Sequence, residues 1–220
     1  MPVLPTWRRP TRLIQPQDPY FNNVSLLLHM NGSDNSTTFT DSSASGLAVT
    51  ANGNAKISTA QSKWNGSSGY LDGSSSFLSI PSTPALGFGT GDFTVEGWFY
   101  INSFQSYRPI FANQFLFYFG SEGQVLLYNG SSDVVATANG VIPLNTWKHV
   151  AWCRASNVAT IYVDGSSAAT ATVSTSIDTG VVNYVGKWNS VYYSGYINDL
   201  RVSKGLARTI EKPISPFPDA

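Results

Sequence analysis

Hydrophobic positions along this 220-residue chain recur mainly with a period of two. The clearest run is Phe93-Thr94-Val95-Glu96-Gly97-Trp98-Phe99-Tyr100-Ile101. Phe93, Val95, Gly97, Phe99 and Ile101 fall on one face of such a strand, and Thr94, Glu96, Trp98 and Tyr100 on the other. The first set is assigned to a core. The second suits either a covered face or a partly exposed binding surface. A second run starts at Trp147-Lys148-His149-Val150-Ala151-Trp152-Cys153-Arg154 and continues through Ile161-Tyr162-Val163 to Asp164-Gly165. Both runs are rich in β-branched and aromatic residues, and strands of this kind must bury a face against another layer.

Turn signals punctuate the pattern. Asn-Gly or Asp-Gly pairs stand at Asn31, Asn52, Asn65, Asp72, Asn129, Asn139 and Asp164. These pairs readily take the positive φ angles of tight hairpin turns. No helical period lasts beyond a turn or two, and a strand is expected from about Ser194 to Ser203. The fold class is therefore all-β, an antiparallel two-sheet sandwich.

Residues 1–23 differ from the rest, with five prolines among Arg8, Arg9 and Arg12 and a single acid, Asp18. Proline at this density favours extended chain. The segment is read as a docking arm whose apolar anchors are Trp7, Leu13, Ile14, Tyr20 and Phe21 and whose arginines meet an acidic surface. Residues 24–207 form the sandwich. Residues 208–220 return to proline-rich extended chain.

Composition narrows the function classes. Lys plus Arg and Asp plus Glu are each 13, so no global field draws the chain toward nucleic acid or anionic lipid. Only 12% of residues are charged, about half the usual share, and neutrality of this kind favours life inside an assembly. The N-terminus carries no apolar run long enough for a signal peptide. No stretch of about 20 apolar residues exists, so no membrane insertion is expected. The five Asn-x-Ser/Thr triplets, at Asn23, Asn31, Asn35, Asn65 and Asn129, are read as by-products of polar turns. Cys153 is the single cysteine, read as a buried, inert thiol.

The ordered elements Ser25–Gly32, Thr38–Ser43, Ser68–Gly73 into Phe77–Ile80, Gly91–Phe99, Trp147–Ala151, Ile161–Gly165 and Tyr196–Val202 resemble the laminin G-like, concanavalin A-like jelly-roll superfamily. The likeness is to its bacterial and phage branch, over about residues 24–207. It implies two stacked antiparallel sheets and a jelly-roll topology. It also implies a role in adhesion, glycan binding or the virion surface. The resulting expectation is a non-enzymatic structural protein on a bacteriophage particle, a capsid decoration or appendage subunit. Such a protein would dock on other virion proteins through its arm and associate as a homo-oligomer. The alternative is a carbohydrate-binding module that attaches to host-surface glycans.

The sequence offers few groups for catalysis or metal binding. Asp92 and Glu96 share a strand face but stand about 13–14 Å apart, whereas glycoside hydrolysis needs carboxylates about 5 Å or 6.5–9.5 Å apart. His29 and His149 each sit in strand patterns without a nucleophile in a recognisable setting. Two histidines and one cysteine make a zinc site unexpected. Asp41 and Asp199 fall in elements where relatives hold calcium, against the reading of turn capping by Asx-type hydrogen bonds. For glycans, whose apolar faces cover aromatic rings, the candidates are Trp98, Tyr100, Tyr107, Trp188, Tyr192 and Tyr193.

Overall fold

The computed structural model describes residues 17–104, 106–178 and 182–219. Trp7, Arg8, Arg9, Arg12, Leu13 and Ile14 lie outside the described residues. In chain order the strands are β1 (Val24–Leu28), β2 (Thr50–Asn52), β3 (Lys56–Ser58), β4 (Ser68–Asp72), β5 (Phe77–Ile80), β6 (Phe93–Ile101), β7 (Arg108–Ala112), β8 (Leu116–Phe119) and β9 (Val125–Tyr128). They continue as β10 (Asp133–Ala136), β11 (Lys148–Ala155), β12 (Val158–Val163), β13 (Ser166–Thr172), β14 (Asn183–Val185), β15 (Lys187–Trp188), β16 (Val191–Tyr192) and β17 (Ser194–Lys204). No helix among the described residues is long and apolar enough to cross a membrane.

The strands build the expected sandwich. The front sheet runs β13-β12-β11-β6-β17-β4-β3, with β1 also paired to β17, and the back sheet runs β10-β9-β8-β7-β14-β5-β2. Every pairing is antiparallel. Alternation along β6 sends Phe93, Val95, Phe99 and Ile101 into the interior, where they meet Phe111, Phe117 and Phe119 of the back sheet. Trp152 of β11 spans the two layers, and its indole N–H donates to the Leu126 carbonyl of β9 at 3.0 Å. Gly97 also points inward. A Cβ there would lie 3.2 Å from the Asp199 carbonyl oxygen and 3.2 Å from the Phe99 ring.

Turn chemistry sets the meander. Asp164-Gly165 joins β12 to β13 with φ of 49° and 84°, both in the left-handed region that suits a right-twisted hairpin. Ser156-Asn157 does the same between β11 and β12 at 48° and 69°. In β17, the two residues Asp199 and Leu200 face the single residue Gly97, so the register shifts between Asn198 and Arg201. Asp199 takes φ 56° to make this bulge.

The termini cover one half of the front sheet's outer face. Phe21 and Phe217 pack on Val24 and Leu27 in a small second cluster. The Asp18 carboxylate pairs with Arg201 at 3.1 Å and with Arg208 at 2.8 Å, and the Arg208 guanidinium lies over the Tyr20 ring. The arm reading is corrected here for its described part. Residues 17–23, Tyr20 and Phe21 included, dock on the chain's own body, because Asp18 supplies the anion that two arginines of the sheet and tail require.

Candidate functional site

The front sheet's covered face carries a buried ionised cluster. Glu96 of β6 accepts from Arg201 Nη2 at 2.7 Å, and its other oxygen lies 3.3 Å from His149 Nε2. Burial by itself would raise the Glu96 carboxyl, but the Arg201 guanidinium and His149 outweigh it and hold the group at about 2. Arg201 also lies 3.7 Å over the Phe217 ring of the tail. His29, one residue beyond β1, is clamped between Asp199 Oδ1 at 2.5 Å and Asp219 Oδ1 at 3.0 Å. Burial would lower this imidazole, yet the two carboxylates raise it to about 9. These groups are spent on holding the tail to the sheet. Asp92 is taken up elsewhere, accepting from the Ser156 amide, and the carboxylates of Glu96 and Asp18 are both held by the Arg201 guanidinium.

The two calcium candidates are corrected by their hydrogen bonds. Asp41 accepts from the amides of Leu27, Ser43 and Leu47 and from the Ser43 hydroxyl, at 2.8–2.9 Å. Asp199 accepts from the Phe217 amide at 2.6 Å besides binding His29. Asp41 is thereby saturated by four donors and offers a cation no lone pair, while each oxygen of Asp199 already holds one partner. Among the described residues no group of three or more His, Cys, Asp or Glu is placed to hold a metal. Cys153 is buried between Thr94 and the Arg208 carbonyl, and burial pushes its thiol up.

The aromatic candidates divide into four groups. Trp98 is 1% exposed and Tyr193 0%, so neither presents a ring to a sugar, and their assignment to an exposed face is corrected. Trp98 lies beneath Trp64 and Lys63. The Tyr193 hydroxyl sits 3.1 Å from the Tyr100 carbonyl and 3.2 Å from that of Tyr196, locked in the core. Tyr100 is half-buried on the front face, between Trp147 and Tyr196. Tyr192 packs with Phe77 on the back sheet, and Lys187 lies over the Phe77 ring.

Tyr107 and Trp188 come together. They line an open cleft of about 300 Å³ on the back sheet's outer face, with Leu116, Tyr118, Tyr128, Asp133 and Asn189. Local sequence explains how each arrives. In Phe115-Leu116-Phe117-Tyr118-Phe119 the three phenylalanines are fully buried, and the alternation turns Leu116 and Tyr118 outward. Tyr128 stands opposite Leu116 in the β8–β9 register, and Asp133 opposite Tyr128 in β9–β10. The β15–β16 hairpin, closed by Asn189-Ser190 with Asn189 at φ 51°, brings Trp188 beside them. Tyr118 and Tyr107 meet edge to face at 5.7 Å, and the Tyr118 hydroxyl donates to Asp133 Oδ1 at 2.7 Å. Burial raises both phenols, helped at Tyr118 by Asp133 and at Tyr107 by Tyr128. They remain neutral at physiological pH. The cleft therefore offers aromatic faces, neutral hydroxyls, one amide and one carboxylate, a set of hydrogen-bond donors and acceptors.

The profile of the concanavalin A-like lectin/glucanases superfamily matches residues 72–209, more than half of the chain. No curated protein sequence matches significantly. Among solved structures, the binding domain of Paraclostridial mosquitocidal protein 1 superposes with a TM-score of 0.68 at 12% identity, over 86% of this chain and 51% of that one. Domain 4 of AbnA, an extracellular arabinanase from Geobacillus stearothermophilus solved with arabinotriose, gives 0.63 at 16%, over 85% of this chain and 95% of that one. A botulinum neurotoxin type C structure, described as dependent on two ganglioside molecules for cell entry, gives 0.61 at 14%, over 85% and 49%. The chain thus spans about half the length of the toxin structures it resembles. At these identities the likeness is one of fold. The sandwich topology and the matched span together show that the chain belongs to the concanavalin A-like lectin/glucanase superfamily.

Proposed function

We propose that this protein is a non-enzymatic carbohydrate-binding module that holds a neutral sugar in the cleft between Tyr107, Tyr118, Tyr128 and Trp188. The observation that carries this reading is the cleft itself. Aromatic faces cover apolar C–H surfaces, while Asp133, Asn189 and the neutral phenols supply directional hydrogen bonds. The arabinotriose held by AbnA domain 4 supports a sugar as the ligand class for this architecture. Calorimetric titration with arabino-oligosaccharides, preceded by a glycan array, tests the reading. Binding is expected to weaken at least tenfold, about 1.4 kcal/mol, in Trp188→Ala. An array without hits, or affinity unchanged in Trp188→Ala, overturns it.

A second reading concerns where the module is displayed. The alternation of Pro2, Pro5, Pro10 and Pro16 with Arg8, Arg9 and Arg12 supports attachment to a phage particle through residues 1–16. The module would then be a decoration or appendage subunit present in several copies. Deleting residues 1–16 is expected to leave a folded sandwich that no longer joins the particle. Incorporation at full occupancy would refute that role.

A further inference from the structure

The front sheet's outer face, on the opposite side of the sandwich from the cleft, has cations and donors without enough acceptors. Lys148 and Lys212 share one carboxylate, Asp164, at 2.8 and 3.2 Å. Lys63 forms no ion pair among the described residues, and its ammonium lies 4.1 Å over the Trp98 ring and 4.6 Å over that of Trp64. Three ammoniums thus face one anion. Burial and the neighbouring Lys212 both lower the Lys63 ammonium, Asp164 offsetting them only in part. The indole N–H groups of Trp64, Trp98 and Trp147, all on this side, are buried with no acceptor among the described residues, a state that is uncommon in native structures.

The site is built rather than incidental. Amides of Lys63 and Trp64 donate to Asn198 Oδ1 of β17 at 3.1 and 2.8 Å, and the Asn65-Gly66 turn, with φ 59° and 75°, closes this loop. The Lys212 backbone is laid across the Asp164-Gly165 turn, where a Cβ on Gly165 would stand 2.7 Å from the Lys212 backbone nitrogen. Beside the lysines a row of half-buried rings crosses the strands. Trp147 to Tyr100 is 5.6 Å, Tyr100 to Tyr196 5.7 Å, and Tyr196 to Tyr70 5.1 Å.

We infer that this face binds an acidic glycan, the ammoniums of Lys63 and Lys212 taking its anionic group and the Trp147–Tyr100–Tyr196–Tyr70 row taking the sugar rings. Excess positive charge calls for an anion. The adjoining half-buried rings call for a partner that brings apolar C–H faces to them. An acidic polypeptide satisfies the first requirement and meets the second poorly. With the cleft on the far side, one copy of the chain then grips two glycans that lie on opposite sides of it.

The test uses the full chain and four probes, titrated calorimetrically at low and high salt. They are an oligogalacturonate, a heparin-derived oligosaccharide, a neutral arabino-oligosaccharide and poly-glutamate. The oligogalacturonate, the heparin oligosaccharide or both are expected to bind at low salt and to weaken as salt rises. That affinity should fall at least tenfold in the double variant Lys63→Glu, Lys212→Glu and in Tyr100→Ala, and stay unchanged in Trp188→Ala, with melting curves confirming that each variant is folded. The inference is overturned if neither acidic sugar binds, or if the folded double variant binds them like the parent. It is equally overturned if poly-glutamate binds as tightly as the sugars, or if Trp188→Ala abolishes acidic-sugar binding. Loss of the neutral sugar alone would count against the cleft and leave this face standing.

Discussion

The two outer faces of the sandwich solve opposite problems with similar residues. On the back sheet the strands leave Tyr118, Tyr128 and Asp133 open beside the β15–β16 hairpin, and the polar groups there pair with one another. On the front sheet half of the face is sealed by the chain's own termini, and the sealing rests on buried charge: Glu96 with Arg201, Asp18 with both arginines, His29 with Asp199 and Asp219. The contrast teaches that a polar residue on a strand's second face is not thereby available. Glu96 and Tyr118 follow the same alternation, yet one is structural and the other lines an opening.

If that contrast is right, damage should separate by face. Glu96→Ala strands Arg201 without its deepest anion and should cost the most, about 3–5 kcal/mol, read as a lowered denaturation midpoint. A loss below 1 kcal/mol would mean the sealed half is not held by charge. Gly97→Val, forced against the Asp199 carbonyl and the Phe99 ring, is expected to cost about 1–3 kcal/mol through overpacking. An unchanged melting curve would place the bulge elsewhere. Trp188→Ala should leave stability within about 0.5 kcal/mol while removing sugar binding, the mirror image of Glu96→Ala.

A further break between the faces concerns pH. His29 is held above its unfolded value, so its contribution is fully present below about 6.5 and is lost as pH rises through about 9. The melting temperature of the parent should therefore exceed that of His29→Ala at pH 6 and converge on it above pH 9. A gap that persists at pH 10 would show that the clamp does not depend on the imidazolium. Glu96 has the opposite sign, its contribution being present above its unfolded value of about 4.5 and lost as pH falls through about 2.

Much of the fold was legible because its signals are local. The alternation of 93–101 and the Asp164-Gly165 turn each need only a few neighbouring residues, and both stand where they were read. The long strand near Ser194 was legible too, but not its bulge, because Asp199 carries no turn signature and its positive φ is imposed by packing. The site was legible only in part. Tyr107 and Trp188 were named from sequence, whereas Tyr118, Tyr128, Asp133 and Asn189 were missed. Their outward direction follows from period two, but their meeting depends on registers among β8, β9 and β10 and on where a distant hairpin lands. Trp98 and Tyr193 failed for the converse reason, since nothing nearby in sequence announces the loop of Trp64 that covers Trp98 or the carbonyls that capture Tyr193.

The bulge at Asp199 has a mechanical consequence. Its extra residue lets Tyr196 and Arg201, an odd number of positions apart, lie on the same side of β17; a straightened strand would roll one of them through to the interior. The carboxylate that sits on this kink is also the peg for His29 and the Phe217 amide. Tail and strand phasing are thereby geared to each other, and unhooking the last few residues would remove the wedge that keeps the strand's two ends in step.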